Sequence, residues 1–136
     1  MDALGGRPGL HASRYAGPEA GYAANRAKLL EELSGVERAR RTARFRCACV
    51  ALLPGGRALM AEGVLEGRIT LEPRGTEGFG YDPLFEVEDS GRTLAELSAE
   101  EKNARSHRAR AVHALARQLA RVLPSLRAGG AGGAGR

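Results

Sequence analysis

Gly78-Phe79-Gly80-Tyr81-Asp82-Pro83-Leu84-Phe85 sets two aromatic rings, a carboxylate and two glycines in about five residues, immediately ahead of an apolar exit. Glycines accept positive φ and let a ligand come close to the backbone, flat rings offer faces for stacking, and Pro83 fixes the path into Leu84-Phe85. Two readings follow. Either the stretch is a ligand-holding loop, or it is a tight turn between strands with its aromatics tucked into the core, since Gly, Asp and Pro are ordinary turn residues.

Working outward, Leu84 to Val87 suits a short strand, and Glu72 to Glu77 is the link that leads into the loop. Before it, Ala58 to Leu71 reads as a long strand in which Gly63 and Gly67 predict a bulge or bend. The Pro54-Gly55-Gly56-Arg57 turn joins it to Arg44 to Leu53, whose nearly continuous apolar run predicts a strand buried on both faces. Tyr22, Arg26, Leu29, Leu30 and Leu33 recur at helical spacing after Pro18, predicting an amphipathic helix over Pro18 to Leu33. Met1 to Arg14 is rich in glycine and predicts a loop, with a helical turn around Pro8 to Ser13.

The last helix carries the strongest local signal. Ser98 and Glu101 form a Ser-x-x-Glu capping box, and Val112, Leu115, Leu119 and Val122 make an apolar stripe that ends at Pro124. Continued backwards, the stripe meets Arg108, Arg105 and Glu101, so the charged half either faces solvent or turns into a cleft. Lys102 and Ser106 share a neighbouring face, while His107 lies on another. The Gly/Ala repeat from Ala128 to Arg136 predicts a disordered tail behind a single domain of residues 1–127.

At 136 residues and 43% apolar content the chain suits one core, and no apolar run of about 18 residues suggests a membrane span. No secretory signal opens the chain, so the expected address is cytoplasmic. Cys47 and Cys49 sit two apart in an apolar run and read as buried thiols, and His11, His107 and His113 show no metal-ligand spacing with them. A net charge of +5 and an isoelectric point near 9.9 suit an anionic partner such as a nucleotide. The densest basic run, Arg38, Arg40, Arg41, Arg44 and Arg46, is interleaved only with Phe45, so a nucleic-acid partner is not expected.

Taken together, His11-Ala-Ser-Arg-Tyr-Ala-Gly17, the Glu-Gly-x-x-x-Gly of Glu62 to Gly67, the Gly78 to Phe85 loop and Glu101-Lys-Asn-Ala-Arg-Ser-His-Arg108 resemble the inosine triphosphate pyrophosphatase family over about Asp2 to Leu123. The resemblance implies an α/β fold with a curved mixed β-sheet flanked by helices, a nucleotide cleft between two lobes, and a homodimer. It implies Mg²⁺-dependent hydrolysis of ITP, dITP and XTP to the monophosphate and pyrophosphate. By the family's example Phe79 stacks on the base, Asp82 and Lys102 shape the loop and pocket, His107 with Arg108 meets the 6-oxo purine edge, and Gly80 and Tyr81 complete the expected substrate-binding set.

The family's triphosphate loop, acidic metal ligand and Asp-Ser-Gly-Leu motif are not found in this sequence, and Met1 to Gly6 aligns just after that motif. Asp2 therefore does not inherit the role of the family's catalytic aspartate, and no catalytic residue or metal ligand is assigned here. The pattern matches the fold without its N-terminal strand and helix. Two functions stay open: an enzyme of this family whose remaining motifs lie upstream, with the 136 residues alone expected to be inactive, or a non-catalytic fragment that keeps only the purine-binding end.

Overall fold

Side chains that alternate between inward and outward along Thr42–Leu52 and Ala58–Ile69 build the two long strands, β1 and β2, of a three-stranded sheet ordered β1-β2-β3. The computed structural model describes residues 1–129, with side chains up to residue 124. In it β3 is the short Phe85–Val87, antiparallel to β2, with Gly67, Arg68 and Ile69 opposite Val87, Glu86 and Phe85. Three α-helices accompany the sheet: α1 (Tyr22–Glu32), α2 (Ala99–Arg105) and α3 (His107–Gly129). The α/β class read from the sequence is the class observed.

The chain divides into two compact units, the first made of Met1–Phe45 and Leu65–Ala104, the second of Arg46–Val64 and the residues from Arg105 onward. In the first, Leu29 and Leu33 of α1, Leu65 and Ile69 of β2, and Leu84, Phe85 and Leu97 are each at most 2% exposed and form the centre of the core. Phe45 packs its ring on Phe85 with centroids 4.6 Å apart. Helix α1 starts at Tyr22 rather than at Pro18, because Gly21 is extended (φ −77°, ψ 173°) and Ala20 closes a turn onto Gly17 instead. Asn25, buried on the same helix face as Leu29, accepts the Ala16 amide at 2.8 Å and donates to the Ser13 carbonyl at 3.0 Å, which ties the 11–17 segment to α1.

Of the basic run between α1 and β1, Arg41 is taken up inside the protein and others stay at the surface in ion pairs. Arg41 is 5% exposed and donates to the carbonyls of Val36 (2.9 Å), Leu33 (2.8 Å) and Thr70 (3.1 Å), clamping the end of α1 to the sheet. Arg38 and Arg74 both pair with the buried Glu86, at 2.6 and 2.7 Å. Arg44 pairs with Glu66 and with Asp2. A charge cluster that reads as a surface patch is thus partly a set of structural clamps.

In the second unit Leu53 N–H donates to Arg57 C=O at 2.8 Å and closes the β1–β2 hairpin over Gly55 and Gly56. Strand β1 is not buried on both faces: Arg44, Arg46, Ala48, Val50 and Leu52 are exposed between half-buried neighbours. The unbroken apolar run arises because the outer face itself carries Ala48, Val50 and Leu52. Nor does β2 bend into a bulge at its glycines. At Gly63 a Cβ would stand 2.0 Å from the His107 carbonyl and 2.5 Å from the Ala111 nitrogen, so this glycine is there to let α3 lie against the strand. At Gly67, in the first unit, a Cβ would meet the Glu86 carbonyl at 2.3 Å and the Phe85 ring at 2.7 Å. Arg110 and Gln118 of α3 donate to the β2 carbonyls of Val64 and Met60, each at 2.8 Å.

The capping box at Ser98 is present in both directions: Glu101 accepts the Ser98 amide at 2.9 Å, and Ser98 accepts the Glu101 amide at 3.2 Å. The helix it starts, however, is short. The chain breaks at Ser106, whose hydroxyl accepts the Ala109 amide at 3.1 Å, and a new helix begins at His107. A single apolar stripe extended back to Glu101 therefore has no continuous register. Pro124 lies inside α3, Ala128 and Gly129 fall in its last turn, and the rest of the expected tail, 130–136, lies outside the described residues.

Candidate functional site

The Gly78–Phe85 loop leaves the core and returns to it within a single turn, and each residue in it is placed by a nameable contact. Asp82 opens a 3-10 turn with Pro83 behind it, and Leu84 and Phe85 drop into the core. The carboxylate of Asp82 points back into the loop, where one oxygen accepts the Phe79 amide at 3.2 Å and the Lys102 ammonium at 3.0 Å. Both side chains of that ion pair are mostly shielded, at 14% and 20% exposure. Gly78 has φ +84°, and a Cβ there would stand 2.0 Å from the Asp82 carboxylate and 2.4 Å from the Lys102 nitrogen, so the glycine is what admits the pair.

The two aromatic rings diverge. Tyr81 is packed among core residues and its hydroxyl donates to the Ala12 carbonyl at 2.7 Å, so it anchors the loop rather than facing a ligand. Burial pushes its phenol up to about 12. Phe79 instead stays half exposed and leans on Tyr22 of α1, with centroids 6.2 Å apart and planes tilted by 42°. Gly80, at φ +62°, turns its carbonyl to Arg26, which donates at 2.8 Å.

The first unit thus brings together five of the residues named from the sequence: Phe79, Gly80, Tyr81, Asp82 and Lys102. His107 and Arg108 are the first two residues of α3, in the second unit, directly after the capping serine. Tyr22 and Arg26 were not singled out for the loop, although their four-residue spacing on α1 signals a shared face.

Elsewhere the chemistry is quiet. Among the described residues no three His, Cys, Asp or Glu side chains are grouped to hold a metal ion. The loop's own carboxylate does not fit Mg²⁺ either, since Asp82 is neutralised by Lys102. Asp2 is exposed and accepts from Thr42 (2.7 Å) and Arg44 (3.0 Å), with its carboxyl held below its ordinary range chiefly by the Thr42 hydroxyl. Cys47 and Cys49 are half-buried free thiols, with sulfurs 3.8 Å apart and the Cys49 thiol pushed up by desolvation. Among the described residues no helix is long and apolar enough to cross a membrane.

Comparison with known proteins agrees with the motifs. A dITP/XTP pyrophosphatase of Bacillus licheniformis is 55% identical over 119 residues, which cover 88% of this chain and 61% of that protein. One of Bacillus subtilis is 51% identical over 119 residues, with 88% and 60% covered. The Ham1 protein of Staphylococcus aureus superimposes with a TM-score of 0.82 at 37% identity, covering 87% of this chain and 60% of that one. A nucleoside-triphosphatase/dITP/XTP pyrophosphatase structure from Mycobacterium abscessus matches with a TM-score of 0.73 at 46% identity, covering 84% and 60%. The chain therefore spans about three fifths of the length of these relatives. The Ham1 family model matches residues 1–118, and with that match the chain belongs to the Ham1 family.

Proposed function

We propose that these residues form the purine-binding part of a pyrophosphatase that hydrolyses non-standard purine nucleoside triphosphates, ITP, dITP and XTP, to the monophosphate and pyrophosphate. The observation that carries the reading is Phe79: a half-exposed ring on a loop whose backbone is pinned by a shielded Asp82–Lys102 pair. A ring held this way is a stacking platform for a base, because it keeps an apolar face in water without the freedom to fold it away.

Each assigned residue then has a task. Phe79 stacks on the purine, Gly80 gives the turn that presents it, and Tyr81 roots the loop in the core. Asp82 and Lys102 hold the loop's entry closed. His107 and Arg108 donate to a 6-oxo group, which accepts hydrogen bonds, whereas the 6-amino group of adenine donates and leaves those donors unpaired. A mismatch of that kind costs on the order of 1–3 kcal/mol, or about 5- to 150-fold in selection.

The metal expected with such substrates is Mg²⁺, which would stabilise charge on the leaving pyrophosphate. We assign no residue of this chain to it. The homodimer belongs to the same reading, and Val50, Leu52 and Met60 of the second unit are exposed apolar side chains that such an interface would cover. The cytoplasm, where nucleotide pools are kept, is the address this function requires.

The test is pyrophosphate release, with Mg²⁺ and ITP, XTP, ATP or GTP, by a protein that carries the family's Asp-Ser-Gly-Leu segment ahead of these residues, since residues 1–136 alone are expected to be inactive. Preference for ITP and XTP in kcat/KM, lowered by Arg108→Ala, with Phe79→Ala weakening all four nucleotides alike, is the expected result. Equal turnover of ATP and ITP would overturn the base-selection reading.

A further inference from the structure

The loop that presents Phe79 is held from its own side by Asp82 and Lys102, but two of its contacts come from a helix about fifty residues earlier in the chain. Tyr22 and Arg26 lie four residues apart at the start of α1 and so project from one face of it. Tyr22 touches the Phe79 ring, and Arg26 donates to the Gly80 carbonyl at 2.8 Å. Gly80 has nothing within 4 Å of where a Cβ would be, so the Arg26 bond is what fixes its carbonyl on an otherwise open turn.

We propose that Tyr22 and Arg26 form a brace that sets the affinity of the Phe79 loop for the purine base. The proposal rests on the base-binding reading above and deepens it by naming two positioning residues that touch the loop rather than the reacting phosphates. The physical argument is about order before binding. A stacking ring on a loose turn must be immobilised each time a base arrives, and that ordering cost is subtracted from affinity. With the Gly80 carbonyl tied to α1 and the Phe79 ring backed by Tyr22, the cost is met in the folded protein. Neither contact changes as pyrophosphate leaves, so the brace acts equally on bound substrate and transition state and should appear in KM rather than in kcat.

Arginine suits the task because its planar fork aims a donor at a fixed acceptor while its charge stays on at every ordinary pH. Lysine carries the charge and can still donate to a carbonyl, though on a more flexible stem. Alanine removes both. For Tyr22, leucine keeps the apolar bulk behind Phe79 and removes the aromatic face.

The experiment compares the unsubstituted protein with Arg26→Ala, Arg26→Lys and Tyr22→Leu in two measurements. The first is amide hydrogen exchange at Phe79 and Asp82, whose N–H groups donate to the Asp82 carboxylate and the Phe79 carbonyl within the loop. The second is steady-state hydrolysis of ITP with Mg²⁺, each variant carried in a protein that also has the family's upstream Asp-Ser-Gly-Leu segment, because residues 1–136 alone are expected to be inactive. Arg26→Ala should speed exchange at both amides about tenfold and raise KM about tenfold with kcat changed less than about twofold, and Arg26→Lys should recover most of both effects. Tyr22→Leu should raise KM by a smaller factor. Unchanged exchange in Arg26→Ala would overturn the brace, and faster exchange with an unchanged KM would overturn its link to affinity. A fall in kcat at constant KM would overturn it as well. Absence of ITP turnover by the unsubstituted protein would sink the proposed function and the affinity claim together, while the exchange comparison alone would still decide whether the brace exists.

Discussion

Replacing Gly78 and Gly80 by alanine, one at a time, separates two reasons for having glycine in the same loop. Both residues have positive φ, +84° and +62°, so an alanine at either is strained by about 1–2 kcal/mol. At Gly80 that is the whole expected cost, because nothing lies within 4 Å of the new methyl group. At Gly78 the methyl would sit 2.0 Å from the Asp82 carboxylate and 2.4 Å from the Lys102 nitrogen. The lysine tip can swing aside, but the short Asp82 side chain cannot retreat by more than an ångström without releasing both the Phe79 amide and the ammonium. Hydrogen bonds to charged groups contribute roughly 1.5–3 kcal/mol each, and discounting for the residual exposure of the pair leaves an added loss of about 2 kcal/mol. Gly78→Ala should therefore lose about 3–4 kcal/mol and Gly80→Ala about 1–2 kcal/mol. At this chain length 1 kcal/mol corresponds to about 3–5 °C, so thermal denaturation followed by far-ultraviolet circular dichroism should show falls in Tm of about 9–20 °C and about 3–10 °C. Equal losses from the two substitutions would refute the reasoning, since they would mean that the ion pair above Gly78 contributes nothing to the loop.

In a protein that also carries the family's upstream Asp-Ser-Gly-Leu segment, Arg108→Ala should lower the preference for ITP over ATP in kcat/KM about tenfold while slowing any step common to both nucleotides less, and an unchanged ratio would remove Arg108 from base selection. Arg41→Met should cost about 3 kcal/mol or more by urea denaturation, because three carbonyls, those of Leu33 and Thr70 in buried contacts, lose their donor at once; a loss under about 1 kcal/mol would show that water replaces the guanidinium. The Arg92 guanidinium, and after it the Ser98 amide, hold the Glu101 carboxyl down to about 2 from its ordinary 4.5. A carboxyl whose folded value is depressed contributes stability above its unfolded value and loses it as the pH falls toward the folded one. The stability gap between wild type and Glu101→Gln should thus be full at neutral pH and shrink between 4.5 and about 2, and a gap independent of pH would contradict it.

What was legible in the sequence was local. The Ser98–Glu101 cap, the Pro54–Arg57 turn and the α1 stripe through Leu29 and Leu33 each depend on residues a few positions apart, and each is found in place. What was not legible depends on distant neighbours. Nothing near Gly63 in sequence says that α3 crosses it, so a packing glycine reads as a bulge. Arg41 looks like one more member of a basic run until the carbonyls of Leu33, Val36 and Thr70 surround it. Ser106 could have been read as a second cap from its place ahead of Ala109, but the continuous stripe on either side of it argued for one helix. In the loop, the choice between ligand platform and buried turn had no single answer, because Tyr81 takes the core position and Phe79 the exposed one.

That division within one loop bears on function more than either ring does alone. A phenylalanine left about half in water forgoes on the order of 1 kcal/mol of the burial it could have had, and the loop is short enough that a modest change of backbone would tuck it away. The contacts around it oppose such a change. Asp82 fixes the Phe79 amide, Lys102 fixes Asp82, Arg26 fixes the next carbonyl, and Tyr81 roots the turn from the far side. Holding groups on all sides of an exposed ring stabilise a position that apolar burial alone would disfavour, and such a conflict between local stability and arrangement is what a binding surface requires. Under the proposed function the same geometry limits what the ring would take: tilted by 42° against Tyr22 and held at its backbone amide, Phe79 has a fixed orientation, which suits a planar heterocycle better than a flexible aliphatic chain.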